Sequence, residues 1–291
     1  LASFDFDQAE GLRRMLAGPK PRVVTFLSAT PGDDKAAMLV NLGASLAQAG
    51  NDVMIVDACQ RRDGATRGVA RHLEMERHVS LMQVARQECA LNQVIQQAPQ
   101  GFQVALLARD GVVPRTGSDE QRRLAKAFEV MVKGQGGIVI VDGELNREGG
   151  FAVPMLADAE IVVQVSNSAT SITNAYALIK RLAQEFGRRP FGILVTGATE
   201  AEAKLVYDNM ASAASRYLAV TLSSMGSVPA DEYLHRAARL GRTVVDAFPL
   251  AGASVAFRRL AGRFALPGMA QLGRHGGGAG FDARFNVRVG S

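Results

Sequence analysis

The chain has 291 residues, 47% hydrophobic and 21% charged, an ordinary globular composition long enough to bury a sizeable core. Its net charge of +5 permits attraction to nucleic acid or an anionic membrane face without requiring either. Only Cys59 and Cys89 are present, with no His or Cys at ligand spacing, which argues against a zinc site or a disulfide scaffold. No apolar run reaches about 18 residues. No signal-peptide pattern opens the sequence, so a cytoplasmic location is the expectation.

The first sixteen residues, LASFDFDQAEGLRRML, predict an amphipathic helix. Asp7 is a candidate N-cap with Glu10 three positions on, and Leu12, Met15 and Leu16 share a face. Gly18, Pro19 and Pro21 stop it. Pattern alone leaves open whether this helix packs on its own domain or meets a partner.

From residue 22, short apolar strands alternate with amphipathic helices. Strands are predicted at 23–28, 53–57, 104–107, 138–142, 161–165, 191–195 and 217–222. Helices are predicted at about 35–49, 119–132, 170–186, 200–215, 231–239 and 254–264. Runs such as MIVD and GIVIVD imply strands covered on both faces, as in a doubly wound, mostly parallel sheet. In the last helix, Val255, Phe257, Leu260, Ala261 and Phe264 oppose Arg258, Arg259 and Arg263, and core packing is expected over membrane binding. From Pro267 the composition turns Gly-rich, which predicts a disordered tail. The expected organisation is a partner-binding helix and linker at 1–21, an α/β domain at 22–266 and a tail at 267–291.

Between the first strand and its helix stands SATPGDDKAA, 28–37. A phosphate loop needs close-approach glycines, a Lys for the β/γ-phosphates and a Ser/Thr hydroxyl for Mg²⁺. Gly32 and Lys35 are in place, but Ala29 and Asp34 stand at the glycine positions and Ala36 at the hydroxyl position. Asp33 and Asp34 suit a helix N-terminus but not a triphosphate. Two like charges about 4 Å apart repel by roughly 4 kcal/mol at an effective dielectric near 20. The same carboxylates are alternatively placed to neutralise Lys35.

Several segments carry a family resemblance. DQAEGLRR at 7–14 resembles the N-terminal DQAxxLR motif of the FlhG/FleN family, MinD/ParA-type regulators of flagellar number. The run AAMLVNLGASLAQAGNDVMIVDA at 36–58 is similar to the segment after the phosphate loop in MinD/ParA ATPases, and SATSITNAYALIKRL at 168–182 to an FlhG segment. GSVPADEYLHRA at 226–237, with Pro229 and Asp231, looks like the stretch beside the adenine, and AFPLAGASVAFRRLA at 247–261 like the closing segment. The resemblance implies a MinD/ParA-like P-loop fold over most of the chain.

It also implies roles. Thr30 falls at the second, deviant lysine, Asp57 at the first switch aspartate, Cys59 at the second, and Asp142 at the Walker B position. Gly32, Lys35, Asp57, Asp142, Pro229 and Asp231 are then the nucleotide-site residues for ATP and Mg²⁺. With the deviant lysine, the metal hydroxyl and one switch aspartate replaced, weak or absent ATP hydrolysis is expected. Asp7, Gln8, Ala9, Leu12 and Arg13 are the partner-binding residues, with Gln8 acting in the site of an FlhF-like, signal-recognition-type GTPase. A flagellar transcriptional activator, switch proteins, a homodimer and an indirect membrane contact are further implied partners. The alternative is an active ATPase that dimerises on ATP and binds membrane. A DNA-segregation role rests on charge and fold alone, and no specific nucleic acid is expected.

Overall fold

Strands apolar at nearly every residue need cover on both faces. The computed structural model describes residues 21–59, 68–75, 79–109, 111–146 and 148–266. The predicted N-terminal helix, with Asp7, Gln8, Ala9, Leu12 and Arg13, and the Gly-rich segment 267–291 lie outside the described residues. The strands are β1 (Arg22–Ser28), β2 (Val53–Asp57), β3 (Gln96–Gln97), β4 (Gln103–Leu106), β5 (Ile138–Asp142), β6 (Glu160–Ser166), β7 (Phe191–Thr196) and β8 (Leu222–Val228). They form one sheet in the order β3-β4-β2-β5-β1-β6-β7-β8. All neighbours are parallel except the β3–β4 pair. The expected doubly wound, mostly parallel sheet is present.

Period-2 alternation divides each central strand between two cores. In β5, Val139 and Val141 join one core, while Ile138 and Ile140 join the other. The first core is covered by α4 (Asp119–Lys133), α5 (Ala169–Phe186) and α6 (Glu200–Leu218), through Phe128, Ile179 and Met210 among others. The second is covered by α1 (Lys35–Gln48) and α9 (Gly252–Ala265), through Leu39, Leu42, Phe257 and Phe264. Each such side chain contributes about 1.5–3 kcal/mol when fully buried. Gly43 lets α1 lie close to the sheet, since a Cβ there would stand 2.8 Å from the Ile55 side chain.

Arg22 fastens one end of this arrangement. Its guanidinium donates to both carboxylate oxygens of Glu160, at 2.9 and 2.8 Å. It also donates to the carbonyls of Phe264 and Leu266 and lies 5.2 Å from the centre of the Phe264 ring. The starts of β1 and β6 are thereby tied to the end of α9.

Two expectations need correction. The predicted strand at 217–222 belongs partly to α6, which continues to Leu218 and ends on Ala219 at φ 51. The true strand begins at Leu222 and reads LSSMGSV, because an edge strand tolerates the serines that an apolar-run criterion passes over. In α9, Phe257, Leu260, Ala261 and Phe264 are buried as expected, but Val255 is 36% exposed and Ala253 and Ala256 take its place. Three short helices fell below helix-length periodicity: α2 (Val69–His72), α3 (Leu81–Ala85) and α8 (Val244–Ala247). The helix α7 (Glu232–Arg239) matches its predicted position.

Candidate functional site

The loop between β1 and α1 is satisfied largely by its own chain. A 3₁₀ turn at Pro31–Asp33 leads to Asp34, which takes a left-handed conformation at φ 44 and caps α1 by accepting from the Ala37 N–H at 3.4 Å. The Thr30 N–H donates to Ser28 Oγ at 3.2 Å, and the Asp33 N–H to the Thr30 carbonyl at 3.1 Å. Asp33 Oδ2 accepts from Ser28 Oγ at 3.0 Å and from Ser171 Oγ at 2.9 Å, which pins the loop to α5. Gln164 Nε2 of β6 donates to the Asp33 carbonyl at 2.5 Å.

Lys35 turns away from both aspartates. Its Nζ lies 2.9 Å from Asp142 Oδ1 and donates to the carbonyls of Gly143 and Phe26, with the residue only 8% exposed. This corrects the expectation that Asp33 or Asp34 neutralises Lys35: the partner is the carboxylate ending β5. Burial opposes the ammonium charge, but Asp142 beside it outweighs burial and raises the Lys35 pKa.

Asp57 and Asp142 are register partners at the ends of β2 and β5. Asp142 Oδ2 accepts from the Val69 N–H at 2.9 Å, and Asp57 Oδ2 from the Ala70 N–H at 2.8 Å. Asp57 Oδ1 also accepts from the Cys59 N–H at 3.1 Å. Gly68 permits this approach, because a Cβ there would meet both Asp57 oxygens at 2.4 Å. Cys59 is 5% exposed, and its thiol pKa is pushed well above the ordinary value, first by burial and then by Asp142. Ligand atoms of Asp57, Cys59 and Asp142 lie within 4.8 Å of one another, a set close enough to hold a metal ion. Spacing along the chain hid this cluster because Asp57 and Cys59 follow β2 while Asp142 ends β5, and only the β2–β5 pairing brings them together. In the structure the Lys35 ammonium supplies the local positive charge.

A cleft of about 960 Å³ adjoins the loop, outside the carboxyl ends of the strands, where doubly wound sheets place ligands. Gly32, Pro229 and Asp231 line it. Asp231 caps α7 through the Tyr233 N–H at 2.9 Å and accepts from the Ala253 N–H at 2.8 Å, joining α7 to α9. The sequence-predicted nucleotide residues therefore form two groups. Gly32, Pro229 and Asp231 line the cleft, while Lys35, Asp57 and Asp142 make a separate buried network. Sequence reading missed Gln164, Ser171 and Gly68. Gln164 had a legible signal, a lone amide inside the apolar strand EIVVQVS.

No protein-family model matches the chain. The MinD cell division protein of Aquifex aeolicus superposes with a TM-score of 0.62 at 18% identity, covering 83% of this chain and 95% of that one. The septum site-determining protein MinD of Pyrococcus horikoshii, solved in complex with Mg-ADP, gives 0.60 at 13% identity, covering 84% and 95%. The fold is that of the MinD/ParA-type P-loop proteins. Within that MinD/ParA-type fold, the loop at 28–37 stands between the first strand and its helix, as its sequence position implied. In sequence, the chain is 28% identical over 242 residues to antiactivator FleN of Pseudomonas aeruginosa, covering 82% of this chain and 85% of that protein. Among the described residues no helix is long and apolar enough to cross a membrane.

Proposed function

We propose that this chain is a FleN-like flagellar regulator that acts through protein contacts and not through ATP turnover. The observation that carries the reading is the Lys35–Asp142 ion pair at 2.9 Å. A phosphate-loop lysine acts by offering its charge to phosphate oxygens. Here that charge is matched inside the protein. The residues present fit a Mg²⁺-bound triphosphate poorly. Ala36 brings no hydroxyl to a metal, and Asp33 and Asp34 bring negative charge to the phosphate end. The Thr30, Asp33 and Ala37 N–H groups are engaged within the loop. Asp57 and Asp142, at the positions the resemblance gives to the first switch aspartate and the Walker B carboxylate, hold the start of α2.

In this reading the scaffold presents the N-terminal DQAEGLRR segment, with Asp7, Gln8, Ala9, Leu12 and Arg13, to an FlhF-like GTPase. Gln8 would orient the water that attacks GTP, as glutamines do in GTPases. Similarity to an antiactivator makes a transcriptional activator a second class of partner. The test is GTP turnover by such a GTPase with the full chain added, in the absence of ATP. The parent protein is expected to stimulate turnover, and Gln8→Ala to bind without stimulating. Stimulation that requires ATP, or that survives Gln8→Ala, would contradict the proposal.

A second reading, an ATPase that dimerises on nucleotide, is favoured by one observation. Lys35, Asp57 and Asp142 do converge at the ends of β1, β2 and β5. It requires Lys35 to leave the Asp142 carboxylate, which would then need a cation in its place.

A further inference from the structure

The cleft beside the loop is acidic in a chain that carries +5 overall. Asp33 and Asp34 stand at its loop end, Glu74 after α2, and Asp231 and Glu232 at the start of α7. Among the described residues, only Glu232 of these five has a basic side-chain partner, Arg236 at 3.2 Å. The one arginine of the lining, Arg242, is paired with Asp246 at 2.7 Å. Asp33 accepts from two serine hydroxyls, and Asp34 and Asp231 from backbone N–H groups. Such donors satisfy oxygens without supplying a countercharge. Four carboxylates with no cationic partner around one hollow attract cations and repel anions.

Two buried acceptors in the same lining also call for an occupant. Gln164 is 1% exposed, and its Nε2 donates to the Asp33 carbonyl, which leaves Oε1 as the free end of the amide. Neither Gln164 Oε1 nor the buried Gln100 Oε1 has a hydrogen-bond partner among the described residues. A buried acceptor left unpaired is costly, and an N–H donor relieves it.

The walls narrow the chemistry of the cation. Met38, Val40, Leu234 and Phe257 give the cleft apolar surface, and its volume of about 960 Å³ suits a small organic ligand. A hydrated metal ion would make no use of that surface. Ammonium groups on a methylene chain use both features, since the chain lies on apolar wall while the heads meet acceptors. The carboxylates come from three separate elements, so several amines on one chain reach more of them than a single ammonium does.

We infer that the cleft binds an aliphatic polyamine, with one ammonium donating to Gln164 Oε1 and the others facing the carboxylates. The site uses no residue of the N-terminal segment and stands apart from the FleN-like role.

Calorimetric titration of the full chain with spermidine, putrescine and butylamine at fixed ionic strength tests the inference. Spermidine is expected to bind with a Kd below about 1 mM, putrescine about tenfold more weakly, and butylamine more weakly again. Gln164→Met is expected to weaken spermidine about tenfold and Glu74→Gln about threefold. Asp208→Asn, which removes a carboxylate of α6 paired with Lys204, is expected to leave the affinity unchanged. Circular dichroism and the melting temperature report whether each fold is kept. Should Gln164→Met fail to fold, Glu74→Gln decides, because Glu74 is exposed and has no side-chain partner among the described residues to lose. Equal affinity for spermidine and butylamine, or no spermidine binding at millimolar concentration, would overturn the inference. So would a spermidine affinity that Glu74→Gln and Asp208→Asn change alike.

Discussion

A buried ammonium persists only where a carboxylate and further acceptors replace its water. Lys35 has Asp142 and the Gly143 and Phe26 carbonyls, so the pair is a point of high local cost if broken. Asp142→Asn is expected to destabilise the fold by about 3–5 kcal/mol in urea unfolding. Combining Lys35→Met with Asp142→Leu is expected to cost less than the sum of the single changes, because neither charge is then left alone. The raised Lys35 pKa fixes the pH behaviour. The group's stabilisation is fully present below the unfolded lysine value, about pH 10, and is lost as pH rises through the still higher folded value. The stability difference between parent and Lys35→Met should therefore be flat from about pH 6 to pH 9. Cys59 offers a separate readout at this scale. Buried and held as a thiol, it should resist iodoacetamide in the native protein while the partly exposed Cys89 is modified, as read by peptide mass spectrometry. Equal labelling of the two would contradict the closed network.

Among the elements, the short helix α2 matters beyond its length. Its first N–H groups land on Asp142 and Asp57, and Gly68 is the residue that lets them come so close. Gly68→Ala is expected to displace this contact and cost about 1–3 kcal/mol, measured by denaturant unfolding. By contrast, Asp34→Gly should change stability by no more than about 1 kcal/mol, because relief of the left-handed conformation offsets the lost cap. The sequence made long, periodic elements legible: β2 and β5 read as MIVD and IVIVD, and α1, α5 and α7 lie where periodicity put them. What failed has physical causes. Helix α6 overran its predicted end because Leu218, four residues after the buried Ala214, continues its packed face, and β8 was obscured by edge-strand serines. Helix α2 is four residues long, too short to show a period, and it is held by carboxylates distant in sequence.

At the scale of the whole molecule, two faces of one sheet serve different ends. The first core fastens α4, α5 and α6, and the second fastens α1 and α9, with Arg22–Glu160 tying the starts of the central strands β1 and β6 at the end of the sheet opposite the site. The residues expected at a nucleotide site were named from the sequence as positions at or just after strand ends. Their division into a lined cleft and a sealed Lys35–Asp57–Asp142 network was not, since it depends on which way Lys35 turns. A MinD/ParA-type scaffold is compatible with either an open or a closed phosphate end. The proposed function requires this end to be closed. Calorimetric titration of the full chain with Mg-ATP, with its molecular size measured in the same samples, tests that claim most directly. Binding weaker than about 1 mM with no change in size is the expected result. Binding near 1 μM accompanied by ATP-dependent dimerisation would contradict it.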